Sequence, residues 1–587
     1  MSRITRRLAG VAVAGVCAAA ALAAPTTALA DPGKAQPKSH FPLTDLQILS
    51  FNDFHGNLQP PGGSSGRVLN PDGQTFTAAG GVEYLATHLA EARKGHPNTV
   101  TVAAGDIVGA SPLISALFHD EPTIRSMNAL GLDVSAVGNH EFDEGYVELQ
   151  RLQHGGCLPD GDGLANQNSC PDNEPFEGAA FSYLAANVVE TATGKTVLPA
   201  YTIKTFPNGA KVGFIGMTLK GTPSIVTASG IRGLEFRDEV QTANALVPEL
   251  RKQGVKAIVV LVHEGGYPVT QAYNYTCDSD KAISGPIVQI AQHLDPEIDM
   301  IISGHTHMPY VCNIPDPDGN DRLVTSASSF GRLFTETDLR YNLRSNDIVR
   351  GSVKGSNLVV TRDVARDPVQ TALIDKYAAY AAPITSRIVG SITTDVTRTM
   401  NASGESQLGD LIADAQRTDP SVVMGSRAPD IAFMNPGGIR ADLTYAQVSS
   451  GEQPGEVTFG EAFTVQPFNN YLVSMDLTGS QIKALLNQQW SGGNAGSPRM
   501  LQVSNGFAYT YSGTTLGTVT LNGSPLVDSQ VYRVVANSFL SDGGDNFTTF
   551  KDATNKYFGG MDIDAFANYL GGHSPYTPGA LTRITKN

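Results

Sequence analysis

Five short polar motifs, each directly after a run of apolar residues, are the part of this 587-residue sequence best suited to chemistry. They are Asp53-Phe54-His55, Gly105-Asp106, Gly138-Asn139-His140-Glu141, His263-Glu264 and Gly304-His305-Thr306-His307. Carboxylate, amide and imidazole groups together suit mid-series divalent metals, whereas a structural zinc site favours thiolates. The ligand set of two carboxylates, one amide and four imidazoles is too large for one ion, so the sequence predicts two.

Asp106 has a particular place in this prediction. A carboxylate has two oxygens, so Asp106 can bridge two ions about 3.5–4 Å apart. Such a pair generates hydroxide near neutral pH and binds a phosphoryl group for in-line attack. Each motif alone is weak evidence, because an isolated histidine or Asp-x-His is common in loops and cores. Five of them in order, each after a predicted strand, indicate a dinuclear hydrolytic site.

The elements that must position these motifs have an α/β pattern. The predicted strands of the first half are Leu46–Phe51, Thr99–Ala103, Val134–Val137, Val212–Ile215, Ala257–Val262 and Met300–Ile302, with helices over Val82–Arg93 and Gln241–Lys252. Reactive side chains collect where the strands of α/β sheets end. Parallel strands would therefore bring all five motifs to one edge.

A second α/β region is predicted from about Gly390. It has a helix over Leu408–Gln416 and strands near Ile431–Met434, Tyr471–Leu477 and Tyr532–Ala536. The intervening segment from Arg362 to Ile388 has a helical pattern that we expect to break at Pro383, and we interpret it as a connector between two domains.

The net charge and the N-terminal segment narrow the possible ligands and the cellular location of the protein. A formal net charge of -15 argues against binding polymeric nucleic acid. Bound cations can still make the local charge of a binding site positive, so a small phosphorylated substrate is not excluded. Residues 1–30 resemble a signal peptide, with basic residues before an apolar run and Ala28-Leu29-Ala30 as the cleavage site. We expect cleavage after Ala30, an exported protein and no transmembrane anchor; the oligomeric state is left open.

Four cysteines remain after the predicted cleavage, and four cysteines allow three pairings. We favour Cys157–Cys170 and Cys277–Cys312, since the first pair brackets a loop rich in Gly, Asp and Asn and such clips are common in exported proteins. The alternative is a zinc site with four cysteine ligands, although the spacing lacks any Cys-x-x-Cys pair.

The metal motifs resemble the signature of calcineurin-like metallophosphoesterases, and Asn52-Asp53-Phe54-His55-Gly56 narrows the resemblance to the 5'-nucleotidase family. The resemblance covers nearly all of the mature chain. It implies an N-terminal layered α/β metallophosphoesterase domain (an αββα sandwich) at 31–345, a helical connector at 346–389 and a C-terminal α/β nucleotide-binding domain at 390–587.

The same resemblance implies roles for the motif residues. One ion would be bound by Asp53, His55, Asp106 and His307, and the other by Asp106, Asn139, His263 and His305. The metal would be zinc, manganese, cobalt or a similar ion. His140 and Asp143 resemble the family's dyad, in which the imidazole stabilises the transferring phosphoryl group and the carboxylate orients the ring.

Substrate contacts are predicted in the second domain. Asn435-Pro436-Gly437-Gly438-Ile439-Arg440 combines a tight turn, backbone donors and a guanidinium that suits phosphate. Phe468 and Phe539 lie in polar, Gly- and Asn-rich stretches and could enclose a base, although each alone fits a core residue slightly better. The resemblance implies that both rings stack on the base, that Asp545 holds the ribose, and that Asn435, Gly437 and Arg440 contact the substrate.

One departure from the family pattern affects the substrate. Well-known relatives carry a phosphate-binding arginine where this sequence has Gly404-Glu405, and Arg398 is nearby. The predicted activity is release of phosphate from nucleoside 5'-phosphates by metal-activated water. The alternatives are a 2',3'-cyclic-nucleotide 2'-phosphodiesterase with 3'-nucleotidase activity, a UDP-sugar hydrolase, and a non-catalytic surface protein on an enzyme scaffold.

Overall fold

The computed structural model describes residues 43–159, 168–227, 230–277, 282–449 and 451–587, so the predicted signal peptide lies outside the described residues. The first of two large sheets, sheet 1, begins with Leu43–Phe51 at its centre. Sheet 1 consists, in spatial order, of Asp347–Ile348, Leu333–Asn342, Leu43–Phe51, Thr99–Ala104, Val134–Ala136 and Ser182–Leu184, with Lys354–Val359 also paired to Leu333–Asn342. Its last four strands run parallel.

A second sheet, sheet 2, has its parallel centre at Ala257–His263. Its spatial order is Thr276–Cys277, Pro309–Pro315, Asp321–Ala327, Met300–Ser303, Ala257–His263, Lys211–Thr218 and Tyr201–Thr205. The strands Lys211–Thr218 and Met300–Ser303 flank Ala257–His263 and run parallel to it. Fully buried Val and Ile dominate these strands, as expected for parallel strands covered on both faces.

The two sheets pack face to face. One buried cluster joins Ile48 and Val102 of sheet 1 to Phe214 and Val259 of sheet 2. A second cluster covers the other face of sheet 1, and a third packs Glu239–Lys252 and Pro286–His293 on sheet 2. The predicted αββα layering of the first half is therefore confirmed.

The predicted strands and helices agree with the structure to within a few residues, and the five motifs are divided between the two sheets of the sandwich. The first three motifs follow strands of sheet 1, and the last two follow strands of sheet 2. The pattern of apolar residues along a strand does not show which of two stacked sheets the strand belongs to, because the strands of both sheets are buried in the same way.

The C-terminal region is a second α/β unit built on its own sheets. A five-stranded sheet has the order Gln502–Val503, Ile431–Met434, Val531–Asn537, Tyr471–Thr478 and Thr554–Met561, and a four-stranded sheet has the order Ser524–Pro525, Thr515–Leu521, Phe507–Ser512 and Ile584–Lys586. Helix Gln407–Thr418 begins at Ser406, whose hydroxyl accepts the N–H of Gly409 as an N-cap.

Four two-stranded sheets and the remaining helices complete the described fold. The small sheets pair Arg67–Leu69 with Phe76–Ala78, Val188–Glu190 with Leu234–Phe236, Tyr267–Pro268 with Ile283–Ser284, and Ile388–Ser391 with Glu456–Thr458. The other α-helices are Val82–Ala92, Leu113–Ala116, Glu121–Leu130, Tyr146–His154, Pro368–Thr385, Phe459–Val465, Gly479–Asn487, Ser538–Ser541 and Asp562–Gly572. Among the described residues, none of the helices is long and apolar enough to span a membrane.

Helix Pro368–Thr385 lies in the predicted connector and contacts both halves. Its Tyr377 ring packs 5.0 Å from Phe118, and the helix also contacts Phe459–Val465 of the C-terminal region. The predicted break at Pro383 is wrong, because the helix continues to Thr385. A proline this close to the end removes one hydrogen bond, and burial of Tyr377 and Ala381 holds the last turns in place. The domain boundaries at 345 and 389 stay predictions.

Both favoured disulfides are present. Cys157 bonds Cys170, and Cys277 bonds Cys312. The second bond joins two neighbouring strands of sheet 2, where Cys277 and Cys312 lie directly opposite each other. The four cysteines are therefore not available as zinc ligands.

Candidate metal centre and substrate cleft

The five motifs converge where strands of the two sheets end. His307 Nε2 lies 3.1 Å from Asp53 Oδ1, and His55 Nε2 lies 3.1 Å from His307 Nε2. His263 Nε2 lies 2.9 Å from Asp106 Oδ2, which is also 3.5 Å from His55 Nε2. Three overlapping groups of possible ligand atoms result: Asp53 with His55 and His307, Asp106 with His263 and His305, and His55 with Asp106 and His140. The first two contain only predicted ligands.

The remaining predicted ligand, Asn139, joins the second group. Its Oδ1 lies 3.0 Å from His305 Nδ1. Asp106 is near both groups, since its Oδ2 faces His55 of one and His263 of the other. The seven predicted ligand residues thus form one cluster, in which His305 and His307 are partly exposed and the others are buried.

The tautomers of two histidines test whether this cluster suits a metal. Nδ1 of His55 donates to Gly109 O at 2.8 Å, and Nδ1 of His263 donates to Ala104 O at 2.7 Å. A carbonyl can only accept, so Nδ1 carries a proton, and whenever the ring is neutral Nε2 has a lone pair that faces the cluster. Lone pairs facing carboxylate oxygens repel unless a cation lies between them. The donor set therefore fits divalent metal ions.

Burial and charge act differently on two histidines of the cluster. Burial would lower the pKa of His263, but the Asp106 and Asp53 carboxylates outweigh it and raise that pKa to about 10, so a metal ion at His263 would take the place of a proton. Burial, and then the neighbouring His263, lowers the pKa of His305 to about 3, so its ring is neutral. Burial alone would raise the pKa of Asp106, but the imidazoles of His263 and His140 outweigh it and hold that pKa well below its ordinary value. Neutral imidazole and ionised carboxylate are the forms that bind metals.

The backbone of the ligand loops is strained. Asp53, His55, Asp106, His305 and His307 all have positive φ, between 49° and 69°. Residues with a Cβ avoid this left-handed region at a cost of about 1–2 kcal/mol each. Five such residues among seven ligands indicate that the surrounding fold imposes the ligand geometry.

Two glycines let the loops of sheet 1 approach each other. A Cβ on Gly138 would lie 2.1 Å from Asp106 Oδ1, and a Cβ on Gly105 would lie 2.6 Å from the backbone nitrogen of Gly138. Any side chain at either position would displace Asp106. This close contact explains why the Gly-Asp and Gly-Asn-His-Glu motifs each begin with glycine.

Glu141 supports the same loops, and the sequence predicted no role for it. The carboxylate is 3% exposed and accepts backbone N–H groups of Asp106 at 3.0 Å, Ile107 at 2.7 Å and Gly138 at 2.5 Å. It therefore fixes the two loops that present Asp106 and Asn139. Its position in the Gly-Asn-His-Glu motif is the sequence feature from which a role for Glu141 could have been predicted.

Asn52 and Phe330 also position ligands. Asn52 Nδ2 donates to Asp53 Oδ2 at 2.6 Å and to Ser328 O at 2.7 Å. Phe330 has φ 62°, donates its backbone N–H to Asp53 O, and packs its ring 5.4 Å from that of His307. Asn52 belongs to the motif context, whereas no sequence signal marks Phe330.

His140 and Asp143 form the predicted dyad. Nδ1 of His140 lies 2.7 Å from Asp143 Oδ2, which leaves Nε2 to face the cleft. Burial lowers the pKa of His140, but the Asp143 and Asp106 carboxylates outweigh burial and raise it. The ring of Phe468 from the second half stacks on that of His140, with centroids 5.7 Å apart.

Two of the predicted substrate residues of the second half, Asn435 and Asp545, belong to one hydrogen-bond network. Asn435 Nδ2 donates to Asp545 Oδ2 at 2.9 Å, and Arg499 Nη1 donates to Asp545 Oδ1 at 2.7 Å. Asn435 Oδ1 accepts from Asn537 at 3.0 Å, so both atoms of its amide are engaged. Gly437 lies beside this network, where a Cβ would be 3.7 Å from Asp545 Oδ2.

The two predicted stacking rings differ in their surroundings. Phe539 lies over Gly544, where a Cβ would come within 2.4 Å of the ring, whereas Phe468 faces His140. Among the described residues the two rings make no direct contact with each other. Arg440 lies 5.8 Å from the Phe468 ring and lines a cavity of about 550 Å³ between the two halves.

The sequence is similar to known families over most of its length. The calcineurin-like phosphoesterase profile matches residues 46–309, and the 5'-nucleotidase C-terminal domain profile matches residues 388–552. These domains define a metal-dependent phosphoester hydrolase. The chain belongs to the 5'-nucleotidase family.

Individual relatives have varied names. The chain is 33% identical to the cell wall protein Lmo0130 of Listeria monocytogenes over 564 residues, 89% of this chain and 67% of that protein. It is 31% identical to the endonuclease YhcR of Bacillus subtilis over 86% of this chain, but spans only 37% of that protein. The 5'-nucleotidase precursor of Thermus thermophilus has the same fold, with a TM-score of 0.72, 24% identity and coverage of 92% of this chain and 99% of that one.

Proposed function

We propose that the chain is an exported phosphohydrolase that uses two divalent metal ions to release phosphate from nucleoside 5'-phosphates. The observation that carries the proposal is the pair of ligand groups that meet at Asp106. Asp53, His55, Asp106 and His307 would bind one ion, and Asp106, Asn139, His263 and His305 the other. When bound, such ions supply a hydroxide near neutral pH and neutralise the phosphoryl oxygens.

The chain's own residues would orient and stabilise the phosphoryl group. Asp143 holds the His140 ring so that Nε2–H can donate to a phosphoryl oxygen. The raised pKa of His140 keeps that ring protonated closer to neutral pH, where its charge opposes the negative charge of the transferring group. Arg440, whose guanidinium lies 5.8 Å from the Phe468 ring, would add a second positive charge.

A nucleoside would be held by the second half of the chain. The Phe468 and Phe539 rings would stack on the base, and Asp545, fixed by Asn435 and Arg499, would accept from the ribose hydroxyls. Phe468 already lies beside His140, so a base stacked on it would place its 5'-phosphate near the dyad. Stacking tolerates any base, so no base preference is proposed.

Export is supported by three observations. Residues 1–30 have the composition of a signal peptide, both disulfides are formed, and the Listeria relative is named a cell wall protein. Disulfides form and persist outside the reducing cytoplasm. Sequencing the N-terminus of the protein recovered from culture medium tests the proposal; a start at Asp31 is expected.

The substrate is tested by a panel after chelation. Nucleoside 5'-monophosphates, 2',3'-cyclic nucleotides and UDP-glucose are assayed with Mn²⁺, Zn²⁺, Co²⁺ and Mg²⁺ added back separately. We expect 5'-monophosphates to have the highest kcat/KM, and Asp106→Asn to serve as the control for contaminating phosphatase. Faster turnover of the cyclic or sugar nucleotides would replace the proposed substrate, and no metal-dependent turnover of any would refute the proposed function.

A further inference from the structure

Both carboxylate oxygens of Asp545 accept a hydrogen bond from a side chain of the second half. Arg499 Nη1 donates to Oδ1 at 2.7 Å, and Asn435 Nδ2 donates to Oδ2 at 2.9 Å. The Asp545 side chain is only 3% exposed. A carboxylate has about four lone-pair sites, so one site remains on each oxygen. Asp545 can therefore accept from two neighbouring hydroxyl groups at once.

The backbone of Asp545 is held by the same loop that carries Arg499. Asn494 Nδ2 donates to Asp545 O at 2.9 Å, and Asn546 Nδ2 donates to Asn494 Oδ1 at 3.0 Å. A Cβ on Gly493 would lie 2.5 Å from the Asn546 side chain, so a residue with a side chain would push the loop away. The loop that contains Asn494 and Arg499 thus fixes both the backbone and the carboxylate of Asp545.

Arg499 differs from a structural arginine of the same half, Arg533. Over the ranges that the structure describes, Asp545 is the only hydrogen-bond partner of the Arg499 side chain, which is 31% exposed. Arg533 is fully buried and donates to the hydroxyl of Ser474 and the carbonyl of Asn555, which lie on two other strands. Arg533 therefore joins three strands, whereas Arg499 acts on one carboxylate.

The charge of Arg499 also favours the ionised form of Asp545. Burial raises the pKa of Asp545, and the Arg499 guanidinium is the largest effect that opposes burial, followed by the Asn435 hydrogen bond and the charge of Arg440. A protonated carboxyl group would have a donor in place of one acceptor, and its hydrogen bonds would no longer be charge-assisted. Without Arg499, Asp545 would take up its proton at a higher pH.

Asp545 and Arg499 lie where the second half meets the first. Gly544–Asn546 contacts Thr222–Ser224 of the first half. Burial raises the pKa of Tyr267, also in the first half, and the Arg499 charge opposes this rise, so the guanidinium lies near the Tyr267 hydroxyl. A ligand bound to Asp545 would therefore be close to the half that carries the metal centre.

We propose that Arg499 is a positioning residue that holds Asp545 as an ionised acceptor for both the 2'- and the 3'-hydroxyl of ribose, and that the protein therefore selects ribonucleotides over 2'-deoxyribonucleotides. The inference rests on the proposed nucleotide-hydrolysing function, in which Asp545 holds the ribose. A 2'-deoxyribose leaves one acceptor site of a buried carboxylate without a donor, which costs binding free energy. Arg499 acts through Asp545 and contacts no reacting group.

The sugar preference of the wild-type protein tests the inference without any variant. Adenosine and 2'-deoxyadenosine are titrated into the metal-loaded mature protein by calorimetry, and kcat/KM is measured for AMP and 2'-deoxy-AMP. The ribose form should be favoured about 10- to 100-fold in both experiments, as expected for one hydrogen bond to a charged group. Hydrolysis of both nucleotides with equal kcat/KM would overturn the inference and leave the proposed function intact. If neither nucleoside binds and no nucleotide is hydrolysed, the proposed function itself is refuted.

Substitution of Arg499 tests the positioning role. Arg499→Met should bring the affinities for adenosine and 2'-deoxyadenosine to within about threefold of each other. It should also raise KM for AMP and leave kcat unchanged, because the lost interaction is made equally to the bound substrate and the transition state. Arg499→Lys keeps a positive charge and a donor, so it should retain most of the preference. The matched control is Arg427→Met, since Arg427 is also a partly exposed arginine paired with a buried aspartate, Asp476, and should leave the preference at the wild-type value. An undiminished preference in Arg499→Met would overturn the inference.

The pH dependence separates the electrostatic role of Arg499 from simple packing of its loop. In Arg499→Met, burial acts on Asp545 without its strongest opposing charge, so adenosine affinity should begin to fall at a higher pH than in the wild type as the pH is lowered from 8 to 5. A loss of affinity that is the same at every pH would mean that Arg499 only packs the loop. That result would also overturn the inference.

Discussion

Replacing Glu141 with glutamine should lower metal affinity from a position that touches no metal. In the native protein Oε2 accepts the N–H groups of Asp106 and Gly138, and Oε1 accepts that of Ile107. A glutamine oxygen can replace one carboxylate oxygen, but its NH₂ group would then face a backbone donor. Burial, and then the Asp106 carboxylate, raises the pKa of Glu141 to about 7. Above that pH the substitution removes at least one hydrogen bond to a buried charge and sets two donors against each other.

The magnitude follows from those contacts. A hydrogen bond to a charged group contributes about 1.5–3 kcal/mol, so Glu141→Gln should reduce the free energy of unfolding by about 2–3 kcal/mol. Because the loops carry Asp106 and Asn139, metal affinity should also fall about 10- to 100-fold, as is typical when a residue that orients ligands is changed. Urea unfolding of the metal-free protein measures the first quantity, and titration in metal buffers measures the second.

Glu239 provides the matched control. Its carboxylate is 9% exposed and accepts the backbone N–H of Lys220 at 2.6 Å, but no ligand loop is involved. In Glu239→Gln the amide oxygen can still accept the Lys220 N–H, so metal affinity should stay at the wild-type value and stability should change little. If Glu141→Gln binds metal as tightly as Glu239→Gln and the wild type do, the role assigned to Glu141 is wrong.

Four further predictions concern the cleft and the core. Asp106→Asn should abolish turnover and reduce the bound metal measured by elemental analysis; full activity with unchanged metal would refute the shared-ligand assignment. His140→Ala should keep its metal while kcat falls about 10²–10⁴-fold, and loss of metal would make His140 a ligand. Replacing Phe468 and Phe539 together with alanine should lower kcat/KM for a nucleotide relative to an aryl phosphate at least about tenfold, whereas equal losses would make them core residues. Burial raises the pKa of Asp562 to about 7, so the native protein at pH 8 contains a buried carboxylate charge, which protonation removes as the pH falls. Asp562→Asn should therefore raise Tm at pH 8, and this gain in Tm should be smaller at pH 5. A gain that is independent of pH would contradict that account.

Sequence patterns predicted the strands and the residues that meet in the metal cluster, because each motif follows a buried apolar strand, whereas the layered first half was implied by the family resemblance. They could not predict that His263 and His305 come from a different sheet than Asp53, since apolar periodicity does not record which strands are neighbours. The predicted break at Pro383 does not occur, because the tertiary packing of Tyr377 stabilises the helix by more than the one missing hydrogen bond costs.

The hydrogen-bond partners of individual side chains could not be predicted from the sequence either. Glu141 binds backbone nitrogens up to 35 residues away, and Arg398 reaches the carbonyl of Arg440 across 42 residues. Phe330 belongs to a strained turn whose conformation depends on contacts with Asp53. Such contacts arise from the chain's path in three dimensions, which no local spacing encodes.

The left-handed backbone of the ligand loops has a consequence for natural and laboratory evolution. Glycine adopts positive φ without the penalty that a side chain incurs, so glycine at His305 or His307 should stabilise the metal-free fold while removing a ligand. Selection for thermal resistance and selection for turnover would then favour opposite residues at the same positions. In a library scored separately for each property, positions with such opposed preferences would outline the metal centre without any structure.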